Sequence, residues 1–409
     1  MDSHTYRDPR VDSYWTDEAK YATWYRVELA VLRHKHPDSV AYLDAKPAYH
    51  AMPPVADIRH REERLGHELA AFLAALSDRL PSPAARWLHH GLTSSDTQDA
   101  ALALTLQQVN RALWETFCRI DLPNTPATGY THGQLASPSN WRRRWRAARQ
   151  AVHPPAVYYG CLSGATGGYP ALTPDDEYHI LRTLGLRPAV SLQVVPRSVL
   201  TTPSLRFWVD MMVACRQIAQ DVRLGSAFGE CSEPARLVGS SAMPGKVNPL
   251  EAERICSLSE MVIAGCHQLE ADTTRLWLER DLTNSAVERE QLPRLSSIAG
   301  YVLGRTRRLV EGLGLRCWTH RASASREWAE ALLVEYTECT LATYPEAHRR
   351  VTDAMGQGSV FRAAALLGVD IGKVIDRVVR MSLHAGRADW QVPQDPTRRV
   401  GVEEEHGDV

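Results

Sequence analysis

Ser240 and Ser241 stand between Gly239 and a Met243-Pro244-Gly245-Lys246 run, with Asn248, Pro249 and Glu253 close behind. Hydroxyls, an ammonium, an amide and a carboxylate gathered among turn formers are the parts of a site. A desolvated serine can act as a base or nucleophile, and Lys and Asn can face a developing negative charge. Three further polar clusters carry similar chemistry. His67 precedes Glu68; His89, His90, Thr93, Ser94, Ser95 and Asp96 form a second group; Thr131, His132 and Gln134 form a third. Taken singly, most have plain readings. His67 beside Glu68 reads as decoration on a helix surface. Gly91-Leu92-Thr93-Ser94-Ser95-Asp96 before an apolar run reads as a helix N-cap, although the N–H groups and hydroxyls of such a turn also suit a carboxylate.

The elements that must hold these loops are helical. Between Ser204 and Ala227, apolar residues recur at Leu205, Trp208, Met211, Met212, Cys215, Ile218 and Val222, a three-to-four spacing broad enough for burial against several neighbours. A second long helix is expected from about Pro249 to Trp277 and a third from about Ser285 to Leu313. Strand-like alternation is scarce, and no internal repeat occurs. Pro and Gly cluster at 80–83, 123–133, 163–170 and 239–249, punctuating the helices. The expectation is an all-α chain built on a central bundle of long helices, with a charged, frayed C-terminal tail.

The 409 residues carry 47 basic and 48 acidic side chains, a formal net charge of -1. That balance removes the long-range attraction expected of a nucleic-acid binder. The basic stretch from Asn140 to Arg149 reads as a solvated helix face. Eight cysteines without a C-x-x-C pair point to a reducing compartment, and neither a membrane-length apolar run nor a signal peptide is seen. A cytoplasmic protein is the expectation. The His and Cys residues are scattered without metal-ligand spacing, so neither metal nor organic cofactor is expected.

Together and in this order, the four clusters resemble those of the fumarase/aspartase superfamily, and within it the adenylosuccinate lyases. The Gly239-to-Pro249 loop is the most specific part. The runs at 14–30, 89–101, 162–169 and 276–290 extend the likeness from about Tyr6 to Leu313. The resemblance implies a three-domain chain, with residues 1–92 N-terminal, 93–312 the central bundle and 313–409 C-terminal. It also implies a homotetramer whose active sites draw on three subunits, and anti β-elimination from a succinyl-type small molecule with release of fumarate. Ser240, or else Ser241, would be the base. Lys246 and Asn248 would face the aci-carboxylate, and Thr93, Ser94 and Thr131 would hold carboxylates, with Gln134 beside them. His132, oriented by Glu253, would manage the leaving group's proton, and His67 and His89 would be further active-site histidines. Gln193, Arg197, Ser285, Arg289 and Tyr6 would lie on the nucleotide side.

The chain also departs from that pattern. Thr5-Tyr6 stands where the lyases carry Arg-Tyr, Gly66 and Glu68 flank His67 in place of Arg and Asp, and Tyr130 replaces an Arg before Thr131. Gly245 and Val247 replace His and Arg around Lys246, and the segment between the second and third clusters is short. Cationic contacts suited to a phosphate dianion are thereby lost. The departures leave open a lyase of a smaller substituted succinate, such as nitrosuccinate or a succinylated amine or hydrazine. A cycloisomerase of the carboxymuconate type and a non-catalytic structural protein are the remaining alternatives.

Overall fold

Long runs of good helix formers, interrupted only by caps, prolines and glycines, dictate a helical chain. The computed structural model describes residues 5–44, 52–121, 138–189, 193–227, 231–233 and 248–315, with isolated positions between 349 and 373. In order come α1 (Pro9–Asp12), α2 (Asp17–Lys35), α3 (Pro37–Asp44), α4 (Val55–Leu65), α5 (Glu68–Ser77), α6 (Ser82–Trp87), α7 (Ser94–Cys118) and α8 (Pro138–Ala151). They are followed by α9 (Pro174–Leu184), α10 (Arg197–Leu200), α11 (Thr202–Ala227), α12 (Leu250–Thr273) and α13 (Ser285–Glu311). Strand structure is minimal among the described residues. β1 (Tyr159–Gly160) pairs in parallel with β2 (Arg187–Pro188), and β3 (Cys231–Ser232) pairs antiparallel with β4 (Gly314–Leu315).

The chain divides into two units, one of residues 1–122 and 144–315, the other of 123–143 and 316–409. In the second, Ala364 is buried and its carbonyl accepts the Val369 amide at 2.9 Å. The first holds the bundle. The three long helices expected from periodicity are present as α11, α12 and α13, the last with Pro293 inside it. Their apolar stripes close on one another: Trp208, Met211, Met212, Cys215 and Val222 of α11 are essentially inaccessible, as are Val262 of α12 and Val302 of α13. Arg206 meets Glu270 at 2.5 Å, and Arg216 meets Glu260, so α11 and α12 run antiparallel. Arg305 meets Glu251 at 3.3 Å, and a Cβ on Gly265 would strike Leu295, so α12 and α13 also run antiparallel. On α8, Arg146 and Arg149 are exposed, the solvated face expected of that basic stretch.

One polar residue sits at the centre of this packing. Asn110 of α7 is fully buried; its amide donates to Tyr158 Oη at 3.0 Å and Ser204 Oγ at 2.8 Å, and its carbonyl accepts Trp208 Nε1 at 2.7 Å. All three ties join α7 to α11 or to the segment before β1. Asn110→Ala is expected to lower stability by about 2–4 kcal/mol in denaturant unfolding, because it strands the Trp208 N–H and opens a cavity.

Candidate active site

The site begins at the first turn of α7, whose leading amides need acceptors. Thr93 is the N-cap, as its sequence context indicates. Asp96, in the first turn, reaches back so that its Oδ2 accepts the Thr93 amide at 2.9 Å. The same oxygen accepts the amide of Gly164 at 3.0 Å, joining the turn to the loop between β1 and α9. Two glycines make this junction possible. Gly91 (φ 79°) lies where a Cβ would fall 2.2 Å from Ala171 Cβ, and a Cβ on Gly164 (φ 79°) would come within 2.9 Å of the Gly91 carbonyl. Both need the left-handed region and the absent side chain.

Four side chains converge on the exposed edge of this turn. His67 is the N-cap of α5, its Nδ1 accepting the Ala70 amide at 3.3 Å. That bond puts the neutral ring's hydrogen on Nε2, which lies 3.5 Å from Ser94 Oγ. Arg280 donates to Thr93 Oγ1 at 3.1 Å and to the Ala165 carbonyl at 2.8 Å. Thr93, Ser94, His67 and Arg280 thus form one edge, with hydroxyls, an imidazole and a guanidinium side by side. His67 is not the surface decoration that its immediate neighbours suggest. Spacing alone does not single out Arg280 as a site residue, although it lies in the run at 276–290 that carries part of the resemblance.

His89 lies behind this edge. It adopts φ 59° and turns its Nδ1 to Glu28 Oε1 of α2 at 2.8 Å; Thr97 Oγ1 donates to the same oxygen at 2.6 Å. Burial works against the charge on His89, but the bond to Glu28 outweighs it and holds the imidazole above its ordinary pKa. Glu28 itself is 1% exposed. A strained, non-glycine residue tied to a buried carboxylate is a supporting strut for the turn.

A cavity of about 360 Å³ opens beside α7, with Trp15, Trp24, Lys20, Glu68, Ser95, Asp99, Arg197, Ser285, Glu288 and Arg289 in its walls. Arg197, Ser285 and Arg289 therefore share one space. Their charges are differently disposed. Arg197 is committed to Asp99 at 2.8 Å and to Glu288 at 3.1 Å, all three largely buried. Burial raises both carboxyls above the usual carboxylate range against the pull of Arg197. Lys20 is held by Asp17 at 2.9 Å and by Glu68, which also accepts Tyr21 Oη at 3.0 Å. Burial opposes the charge of Glu68, yet Lys20 keeps it below its usual pKa. Arg289 is exposed and has no ion pair within 4 Å among the described residues. Gln193 is not among the cavity's lining residues; its backbone N–H donates to Glu279 Oε1 at 2.6 Å.

Asn248, Glu253 and Tyr6 lie elsewhere. Glu233 caps the head of α12 by accepting the Glu251 and Ala252 amides at 3.0 and 2.7 Å, leaving Asn248 and Glu253 exposed beside it. Tyr6 packs edge-on against Tyr301 of α13, its ring 5.9 Å from the Arg254 guanidinium. From Arg289 to Arg305 along α13 is roughly 24 Å at about 1.5 Å per residue. Within one chain the α12 head and the α7 head are separate places. Thr131, His132, Gln134, Ser240, Ser241 and Lys246 lie outside the described residues. Among those described, no helix is long and apolar enough to cross a membrane, and no group of His, Cys, Asp or Glu has metal-ligand geometry.

The family described as Lyase matches residues 55–264. The adenylosuccinate lyase of Thermotoga maritima is 33% identical, the match covering 71% of this chain and 72% of that protein. The adenylosuccinate lyase of Archaeoglobus fulgidus is 29% identical over 82% of each. Among solved structures, a fumarate lyase from Mesorhizobium sp. BNC1 shares the fold with a TM-score of 0.65 and 17% identity, covering 93% of this chain and 94% of that one. The 3-carboxy-cis,cis-muconate lactonizing enzyme from Pseudomonas putida does so at 0.66 and 19%, covering 92% and 93%. By the family match and the extent of its identity to these relatives, the chain belongs to the lyases of the fumarase/aspartase superfamily, near adenylosuccinate lyase.

Proposed function

We propose that the protein catalyses anti β-elimination from a succinyl-type substrate with release of fumarate, cleaving a C–N bond; its similarity to proteins named adenylosuccinate lyase supports this reading. The observation that carries this reading is the edge formed by Thr93, Ser94, His67 and Arg280. Two hydroxyls at a helix N-terminus and a guanidinium suit one carboxylate of a succinyl group, and the His67 Nε2–H stands beside them. Ser240 or Ser241 removes the proton beside the other carboxylate. Lys246 and Asn248 face the dianion that forms, and His132, oriented by Glu253, supplies the proton to the departing nitrogen. Thr131 and Gln134 complete the carboxylate contacts, and His89 supports the turn from behind.

Because the α7 and α12 heads are far apart in one chain, the site is completed by other copies in a homotetramer. Trp277, Leu278 and Leu282, which are 92%, 76% and 71% exposed, are the apolar surface that such an assembly covers. The three-part division at 1–92, 93–312 and 313–409 belongs to the same proposal.

A second reading concerns the leaving group. In the cavity, Lys20 and Arg197 are each bracketed by two carboxylates, which leaves Arg289 as the cation open to a ligand among the lining residues. A phosphate dianion gains most from two or more uncommitted cations. This balance favours a smaller leaving group over a nucleotide, with Tyr6 and Gln193 outside that pocket.

Fumarate release by purified protein from adenylosuccinate, argininosuccinate, aspartate, malate and nitrosuccinate, followed by mass spectrometry, decides between the readings. Turnover of a small succinate without turnover of adenylosuccinate is expected; rapid turnover of adenylosuccinate would sink the second reading, and no fumarate from any substrate the first. Ser240→Ala should lower kcat by about a thousandfold or more with the oligomer intact. If activity survives that change and is lost in Ser241→Ala, the base is Ser241. Arg280→Ala should raise KM about tenfold or more through the lost charge-assisted contacts, and an unchanged KM would remove Arg280 from the carboxylate edge.

A further inference from the structure

A buried acid beside the carboxylate edge takes no part in the elimination itself. Asp96 is 1% exposed, and its two oxygens have opposite fates. Oδ2 accepts the Thr93 and Gly164 amides, whereas Oδ1 is buried without a partner among the described residues. A buried carboxylate oxygen with nothing to donate to it is costly when charged. A proton on Oδ1 removes that cost and leaves both Oδ2 bonds in place. The geometry therefore supplies a seat for a proton that does not disturb the turn.

The surroundings set the balance. His89 faces Asp96 with Glu28 behind it; Glu177 faces it from α9, where it holds the Leu162 amide at 2.6 Å and Tyr169 Oη at 2.8 Å. Cys161 and Tyr169 of the β1–α9 loop are raised above their ordinary pKa values chiefly by burial and carry no charge near neutrality. Arg280 contacts Thr93 on the outer side, and Asp99, farther along α7, is bound to Arg197. Burial pushes the Asp96 carboxyl up to about 7, with the two amides and His89 pulling against the rise and Glu177 adding to it.

We infer that Asp96 is a positioning residue that couples proton uptake to anion binding: its Oδ2 holds the Thr93–Ser94 edge in shape, and its Oδ1 takes a proton when a ligand carboxylate arrives at that edge. The coupling rests on the lyase reading in one respect, that this edge receives a carboxylate. A second negative charge at the α7 head favours the neutral form of Asp96, and linkage requires the neutral form to favour the anion in return. Affinity for the anion is therefore greatest below pH 7 and falls as pH rises above it.

Two measurements on the full-length protein test this. The first needs no ligand. A buried acid with a raised folded-state pKa gives stability that is fully present below its unfolded pKa and is lost as pH rises through about 7. Asp96→Asn cannot ionise, so its Tm relative to wild type should climb between pH 5 and pH 8.5; a difference that stays flat with pH overturns the proton seat. The second is calorimetric titration with fumarate in two buffers of different ionisation enthalpy. Wild type should take up a fraction of a proton near pH 7.5 and lose roughly tenfold in affinity from pH 6 to pH 9. Both effects should shrink in Asp96→Asn.

Equal pH slopes in the two proteins overturn the coupling. If neither protein binds fumarate at any pH, the carboxylate edge and the coupling both fall, while the pH dependence of Tm still tests the proton seat independently. Should Asp96→Asn not fold, absence of proton uptake by wild type on binding fumarate is sufficient to overturn the proposal.

Discussion

The head of α7 must satisfy its leading amides without using up the edge where a ligand would sit, and much of the surrounding structure follows from that constraint. A 25-residue helix cannot begin in a protein interior with its first N–H groups bare. Asp96 resolves the problem from inside, reaching back to the Thr93 amide with the same oxygen that takes the Gly164 amide. The solution keeps the outer edge open, but it places a carboxyl where water does not reach. The two glycines, the left-handed His89 and the Glu28 strut are consequences, since each lets a loop approach this turn more closely than an ordinary residue would allow.

Charge is handled differently on the two sides of α7. At the head, a guanidinium and an imidazole face outward beside hydroxyls. In the cavity, cations are bracketed by carboxylates, with Asp99 and Glu288 on Arg197, and Asp17 and Glu68 on Lys20. Bracketed cations give rigidity, because each carboxylate restricts the other's partner, but they offer less to an incoming anion than an unpaired cation does. The change from the family's Asp to Glu68 belongs to this side. The longer side chain reaches both Lys20 and Tyr21 and fixes the start of α5 against α2.

The long helices are legible in the sequence because their burial follows a single period. α11, α12 and α13 occupy the spans that apolar spacing predicts, and Thr93 caps α7 as a Thr-Ser-Ser-Asp run should. The site is less legible, for a physical reason. A residue's role here depends on partners far away in sequence, which spacing cannot reveal. His67 looks like a helix-surface residue until it proves to be an N-cap facing Ser94, and Arg197 reads as a polar ligand contact until Asp99 and Glu288 enclose it. Arg280 sits inside a family-like run without standing out there, and Asp96, though part of a polar cluster, gives no sign in sequence that it faces inward, because a short motif does not say which of its side chains points inward.

The bundle also limits what one chain can do. Elimination requires a base, an acid and carboxylate contacts within hydrogen-bond reach of one small molecule. The antiparallel packing of α12 against α13 puts Asn248 and Glu253 near Arg305, whereas the α7 edge and its cavity meet α13 around Ser285 and Arg289. A rigid helix cannot bring those two stations together, and roughly 24 Å exceeds the reach of any side chain. The polar groups at opposite ends of the bundle become one site only if separate copies lie alongside each other, with the end of one against the other end of the next. In the proposed assembly the length of these helices would set the spacing between half-sites, and the exposed apolar surface at Trp277, Leu278 and Leu282 would be what the copies cover.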